Sequence, residues 1–142
     1  MNKTPISFPR SASYLAINLV YLMIWGFAGI GKVVSGVPQY FHDKFAKTWL
    51  ASFPGIAASF WLITASELAA FGLALAALMR REFWVNRTPS FLVGTLVWSL
   101  FVFLQLGFGL WLTGDFSGGY NLFVYFALTV GILHFVETHW QR

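Results

Sequence analysis

The chain has 142 residues, of which 58% are hydrophobic and only 10% charged. A soluble domain of one-domain size carries about 25% charged residues, so this composition points into a membrane. Cysteine is absent, which excludes disulfides, thiolate metal ligands and thiol redox chemistry within the chain. The net charge of +4 comes from basic residues scattered between apolar blocks, the pattern of topology signals rather than of a nucleic-acid surface.

A membrane helix needs about 20 mostly apolar residues. Four segments qualify, at about 14–34, 56–79, 91–112 and 120–137, and their short connections predict antiparallel neighbours. The expected architecture is an all-α integral membrane protein, a single membrane domain over 1–142, built as an antiparallel four-transmembrane-helix bundle. The first apolar run is too long for the core of a cleavable signal peptide, and no A-x-A site follows it, so the first helix is expected to be retained.

Lys3, Arg10, Arg80, Arg81, Arg87 and Arg142 fall on one side of the predicted spans, and Lys32, Lys44 and Lys47 on the other. This bias predicts a multi-pass protein with both termini cytoplasmic. The loop VPQYFHDKFAKTWLASFPG (37–55) then faces outward. On a helical wheel Phe41, Phe45, Ala46, Trp49, Leu50 and Phe53 cover one half, with Asp43, Lys44 and Lys47 opposite and Pro38 and Pro54 at the ends. That is the signature of a short interfacial helix at about 39–53 lying on the membrane surface. A loop packed over the bundle mouth is the alternative.

Strongly polar residues inside spans are rare and usually face the bundle interior. Here they are Asn18 and Lys32 on the first span, Glu67 near the middle of the second, Gln105 on the third, and Asn121 and His134 on the fourth, with Asp115 in the turn TGDFSGGY. Asn18, Trp25 and Lys32 are spaced by seven and share one helix stripe, as do Trp98 and Gln105. Lysine near a helix end commonly snorkels to the headgroups. Glu67 is too short and too deep for that, and a carboxylate at mid-membrane costs roughly 2.5–3.5 kcal/mol. Its candidate partners are Lys32 and Gln105. Together these residues predict an outer-facing polar pocket walled by aromatics. No metal site is expected, and haem is disfavoured because His42 and His139 fall outside the predicted spans.

The first-span ending FAGIGKVVSG, the second-span SELAAFGLAL around Glu67 and the fourth-span YNLFVYFAL with Asn121 and Tyr125 resemble the DoxX (DoxX/DoxD-like) family of small four-helix membrane proteins. The resemblance covers most of the chain through short, degenerate motifs. It implies a prokaryotic inner-membrane protein, one part of a redox system that is quinone-linked or tied to oxidative stress and sulfur metabolism. Some relatives are the membrane subunit of a thiosulfate:quinone oxidoreductase, and others associate with superoxide dismutase and a sulfurtransferase. It further implies a redox partner protein, quinone as the cofactor class, and no catalysis by this chain alone, with no catalytic residue assigned.

On this reading the ligand-binding candidates are Lys32, Glu67, Gln105, Asn121, Trp25 and Tyr125. Lys32 would attract an oxyanion or quinone oxygen, Glu67 would hold a proton, and Gln105 and Asn121 would orient the ligand. Two other classes stay open: a small proton-coupled transporter, and a structural subunit of a larger membrane complex. The four-span disulfide-forming oxidoreductases are excluded, because they need cysteines.

Overall fold

The computed structural model describes residues 7–84 and 86–140. They form α1 (Ser7–Ser35), α2 (Gln39–Phe45), a 3-10 turn (Trp49–Ala51), α3 (Ile56–Met79), α4 (Ser90–Leu112) and α5 (Phe116–Trp140), with no strand among the described residues. The four helices α1, α3, α4 and α5 are each long and apolar enough to cross a membrane. Lys3 and Arg142, which enter the charge bias, lie outside the described residues.

The helix ends show why some boundaries differ from the expected ones. α1 begins at Ser7 rather than near 14: its first turn holds Pro9, which suits a helix start, and the Ser13 hydroxyl donates to the Pro9 carbonyl at 2.8 Å. A helix needs no apolar side chains there, so hydropathy missed this turn. α5 begins at Phe116 rather than near 120 because Asp115 caps it, Oδ1 accepting from the Gly118 amide at 3.0 Å.

α3 ends in a Schellman arrangement, with Glu82 N–H bonded to the Ala77 carbonyl and Arg81 N–H to that of Leu78. The residue that turns the chain is Arg81, at φ +55°. That left-handed position ordinarily goes to glycine and costs another residue about 1–2 kcal/mol. The next residue, Glu82, is buried and caps α4: its two carboxylate oxygens accept from the Phe91 and Leu92 amides at 3.0 and 2.9 Å. A carboxylate on these amides satisfies two otherwise unpaired donors and opposes the helix dipole.

α1 packs on α3, α3 on α4, and α4 on α5. Each pairing runs in opposite chain directions. Asn18 lies against Ala74 and Leu78 while Gly29 lies against Leu68, and Phe103 stacks near Tyr125 while Trp111 meets Gly119. Gly29 and Gly119 permit close approach: a β-carbon at Gly29 would press on Leu68, and one at Gly119 would overlap the Trp111 indole. The core is Tyr14, Tyr21, Trp25, Leu92, Leu96, Val102, Phe103 and Val136 with small residues of α3. Large apolar side chains such as Phe27, Met23 and Phe123 face outward, as bilayer contact requires.

The expected helix at about 39–53 is helical only over Gln39–Phe45, followed by a turn and the separate 3-10 segment. Its aromatic face is used against the bundle end. Phe41 packs on Phe60 with ring centroids 5.1 Å apart, Phe45 is buried beside Gly109, and Trp49 meets Phe108. The segment is thus a strap across the ends of α3 and α4.

Candidate functional site

The inner face of α1 carries a ladder of side chains that are apolar in body and polar at the tip. Tyr14 donates to the Val136 carbonyl at 2.9 Å. The Asn18 amide, oriented with its nitrogen toward α3, donates to the Ala74 carbonyl at 3.0 Å and accepts from the Leu78 N–H at 3.1 Å. Tyr21 and Thr129 share a 2.6 Å hydrogen bond. The Thr129 hydroxyl also donates to the Tyr125 carbonyl, so Tyr21 is the donor between the two. Trp25 Nε1 donates to Ser99 Oγ at 2.8 Å, and the Ser99 hydroxyl in turn donates to the Thr95 carbonyl. The sequence spacing placed Asn18, Trp25 and Lys32 on one stripe with Tyr21 flanking it; Tyr14 extends it by the same three-to-four spacing, which is the signal that would have found it.

At the top of the ladder, Lys32 Nζ lies 2.6 Å from Glu67 Oε1 and 2.7 Å from Oε2. The backbone gap expected between the two is closed by the lysine stem, which points back toward the start of its helix. Glu67 is 1% exposed, whereas the Lys32 side chain is 26% exposed. Both carboxylate oxygens therefore receive charge-assisted hydrogen bonds, the strong kind, in a place where a bare carboxylate would be costly. An ammonium has three donors. Among the described residues Lys32 uses two, both on Glu67.

The other candidates divide. Trp25 is buried below the pair and packs on Phe103 with ring centroids 5.0 Å apart and the planes tilted by 43°, but its N–H is committed to Ser99. Gln105 is half-buried on α4, with Oε1 buried and without a hydrogen-bond partner among the described residues. The Trp25–Ser99 contact sets the relative height of α1 and α4. Seven residues further along each helix, about 10 Å, lie Lys32 and Leu106, so Gln105 stands at the level of Lys32.

Asn121 is exposed on α5, and Tyr125 is 52% exposed with its ring 6.0 Å from Phe103. The inner face of α5 belongs instead to Gly119, Leu122, Phe126, Thr129 and Val136. The expected convergence of Asn121 on Lys32 and Glu67 is not what the fold builds. His139, expected outside the fourth span, lies on α5 with Nδ1 2.9 Å from the Phe135 carbonyl, and His134 is exposed. No group of three His, Cys, Asp or Glu side chains with metal-binding geometry occurs among the described residues.

Asp115 pairs with Lys44 of the strap at 3.1 Å while capping α5. The Gly118 amide first, and Lys44 second, hold its carboxyl below the usual range. A groove of about 440 Å³ between α4 and α5 is lined by Phe103, Phe108, Trp111, Phe123 and Phe126 among others. A second, of about 550 Å³, runs along α1 at Gly26, Phe27, Gly31 and Phe71. Neither is lined by Lys32 or Glu67. Sequence reasoning also passed over Glu82, whose buried role depends on a turn that no local pattern announces.

Fold and site define, among the described residues, a helical protein with four helices able to cross a bilayer, the arrangement of a multi-pass membrane protein, with a partly buried ion pair between α1 and α3. No protein-family model, curated protein or solved structure matches the chain.

Proposed function

We propose that the chain is a DoxX-like inner-membrane subunit of a redox system, in which the Lys32–Glu67 pair holds the polar end of a quinone or a small oxyanion. The observation that carries this reading is the third donor of Lys32, which has no partner among the described residues and sits on a partly exposed side chain. Gln105 Oε1, at the same height and also unpartnered, supplies an acceptor. In this reading both termini face the cytoplasm, and α2 with its strap lies at the outer surface. The absence of cysteine assigns any sulfur chemistry to a partner protein.

The test is binding of a short-chain quinone, and separately of thiosulfate, to the protein in nanodiscs. Lys32→Ala and Glu67→Gln are expected to weaken binding at least tenfold. Unchanged affinity in both variants overturns the site, and no binding by the wild-type chain overturns the function. Because the chain has no cysteine, single cysteines introduced at Ser52 and Thr88 report orientation by membrane-impermeant labelling.

A specific observation favours a structural subunit as the second reading. The tips of Tyr14, Asn18, Tyr21 and Trp25 are all spent on holding helices together, and neither the α4–α5 groove nor the groove along α1 is lined by the ion pair. Purification in native lipid with a stoichiometric partner, and no ligand bound by the isolated chain, would select it.

A further inference from the structure

The chain contains five acidic residues, and the structure shows where each is used. Glu67 is paired with Lys32. Asp115 is paired with Lys44. Asp43 accepts from Gln39 on α2. Glu82 is buried, with both oxygens on the amides of α4. Only Glu137 remains exposed toward the end of the molecule where α1 and α4 begin and α3 and α5 finish.

That end carries Arg10, Arg80, Arg81 and Arg87. The last three are exposed and Arg10 is half-buried. None of the four makes an ion pair or a side-chain hydrogen bond among the described residues. At the opposite end Lys32 and Lys44 have carboxylate partners, and of its three lysines only the exposed Lys47 makes no ion pair among the described residues.

Three features show that the arginines are presented rather than merely left over. The Arg80 guanidinium lies 4.6 Å over the Phe91 ring, and that of Arg10 lies 5.3 Å over the Tyr14 ring, so both rest on aromatic faces, contacts that leave the N–H donors uncommitted. Arg81 occupies the strained left-handed position where glycine would fit better. Trp84, 58% exposed, and Met79, 75% exposed, stand beside them, an amphipathic rim of the kind that sits at headgroup depth.

We infer that this arginine end is a binding surface for anionic phospholipid headgroups, with Arg80, Arg81 and Arg87 on the phosphodiester and Trp84 at the boundary with the acyl chains. Guanidinium groups match phosphate oxygens in geometry as well as charge. The withdrawal of Glu82 into the α4 cap leaves Glu137 as the one exposed carboxylate side chain against four arginines at this end, among the described residues. The inference rests on the four apolar helices and this charge distribution, and is independent of the redox reading.

The experiment titrates the detergent-solubilised full chain with phosphatidylglycerol or phosphatidylcholine and counts bound lipid by native mass spectrometry. Phosphatidylglycerol is expected to bind in preference, and raised salt is expected to reduce the preference. Each arginine removed should weaken it about fivefold. The triple variant Arg80→Gln, Arg81→Gln, Arg87→Gln should therefore lose roughly a hundredfold, while Lys47→Gln at the other end changes nothing. Equal retention of the two lipids by the wild-type chain overturns the inference, as does full retention of the preference in the triple variant. Inorganic phosphate that abolishes lipid binding at millimolar concentration would show a free-anion site and overturn the lipid assignment. Should the triple variant lose its helical circular dichroism, Arg87→Gln alone, in the loop outside every helix, carries the test by the same fivefold criterion.

Discussion

Replacing Lys32 by methionine keeps the stem and removes the charge, leaving the Glu67 carboxylate 1% exposed without a cation. Removing one partner of a buried ion pair costs about 3–5 kcal/mol. Because a quarter of the Lys32 side chain already reaches the surface, the expected loss is at the low end, about 3 kcal/mol. For a chain of this length that corresponds to a drop in melting temperature of roughly 6–12 °C. Glu67→Leu should cost less, because the flexible ammonium can swing outward. The double variant, apolar at both positions, should return to within about 1 kcal/mol of the wild type, since a well-packed apolar pair is often as stable as the ion pair it replaces. The four proteins form a double-mutant cycle, read by tryptophan fluorescence and circular dichroism during denaturant titration in mixed micelles. A loss below about 1 kcal/mol in Lys32→Met, or simple additivity in the double variant, would refute a coupled pair.

Gly119→Ala drives a methyl group into the Trp111 indole, and is expected to destabilise by about 1–3 kcal/mol with a shift in indole fluorescence. Glu82→Ala removes both acceptors from the start of α4. It should cost about 1–2 kcal/mol and speed hydrogen exchange at the Phe91 and Leu92 amides before any others in α4. Asp115 has its carboxyl held below the usual range by Gly118 and Lys44. Its contribution is therefore present above the unfolded carboxylate pKa of about 3.9 and is lost as pH falls through the folded value. Wild type should exceed Asp115→Asn in stability at pH 6, with the gap closing below about pH 4; a gap that persists in acid would contradict the pairing.

Much of the fold was legible because it follows from solvent. α3 and α4 are bounded by polar or proline-containing connections, so hydropathy alone delimits them, and the seven-residue spacing of Asn18, Trp25 and Lys32 announced the inner face of α1. Asn121 was not legible, since α5 is apolar around most of its circumference and hydrophobicity gives no phase to its wheel. There, packing decided: Gly119 admits Trp111 and Thr129 meets Tyr21, which turns Asn121 outward. The strap was misjudged in length for a related reason. Its aromatic face is real, but the partners are Phe60, Phe108 and the gap at Gly109 rather than one flat surface, so the chain need not stay helical to reach them. Glu82 was invisible because its partners are backbone amides, which carry no residue identity.

The ladder on α1 also has a temporal side. Helices leave the ribosome in chain order, and α1 enters the bilayer with the tips of Tyr14, Asn18, Tyr21, Trp25 and Lys32 awaiting acceptors. Asn18 and Lys32 meet their partners when α3 arrives, Trp25 when α4 does, and Tyr14 and Tyr21 only with α5. The first helix synthesised is therefore the last to be completed. A nascent chain stalled before α5 retains two phenolic hydroxyls, those of Tyr14 and Tyr21, without the α5 partners they have in the finished fold.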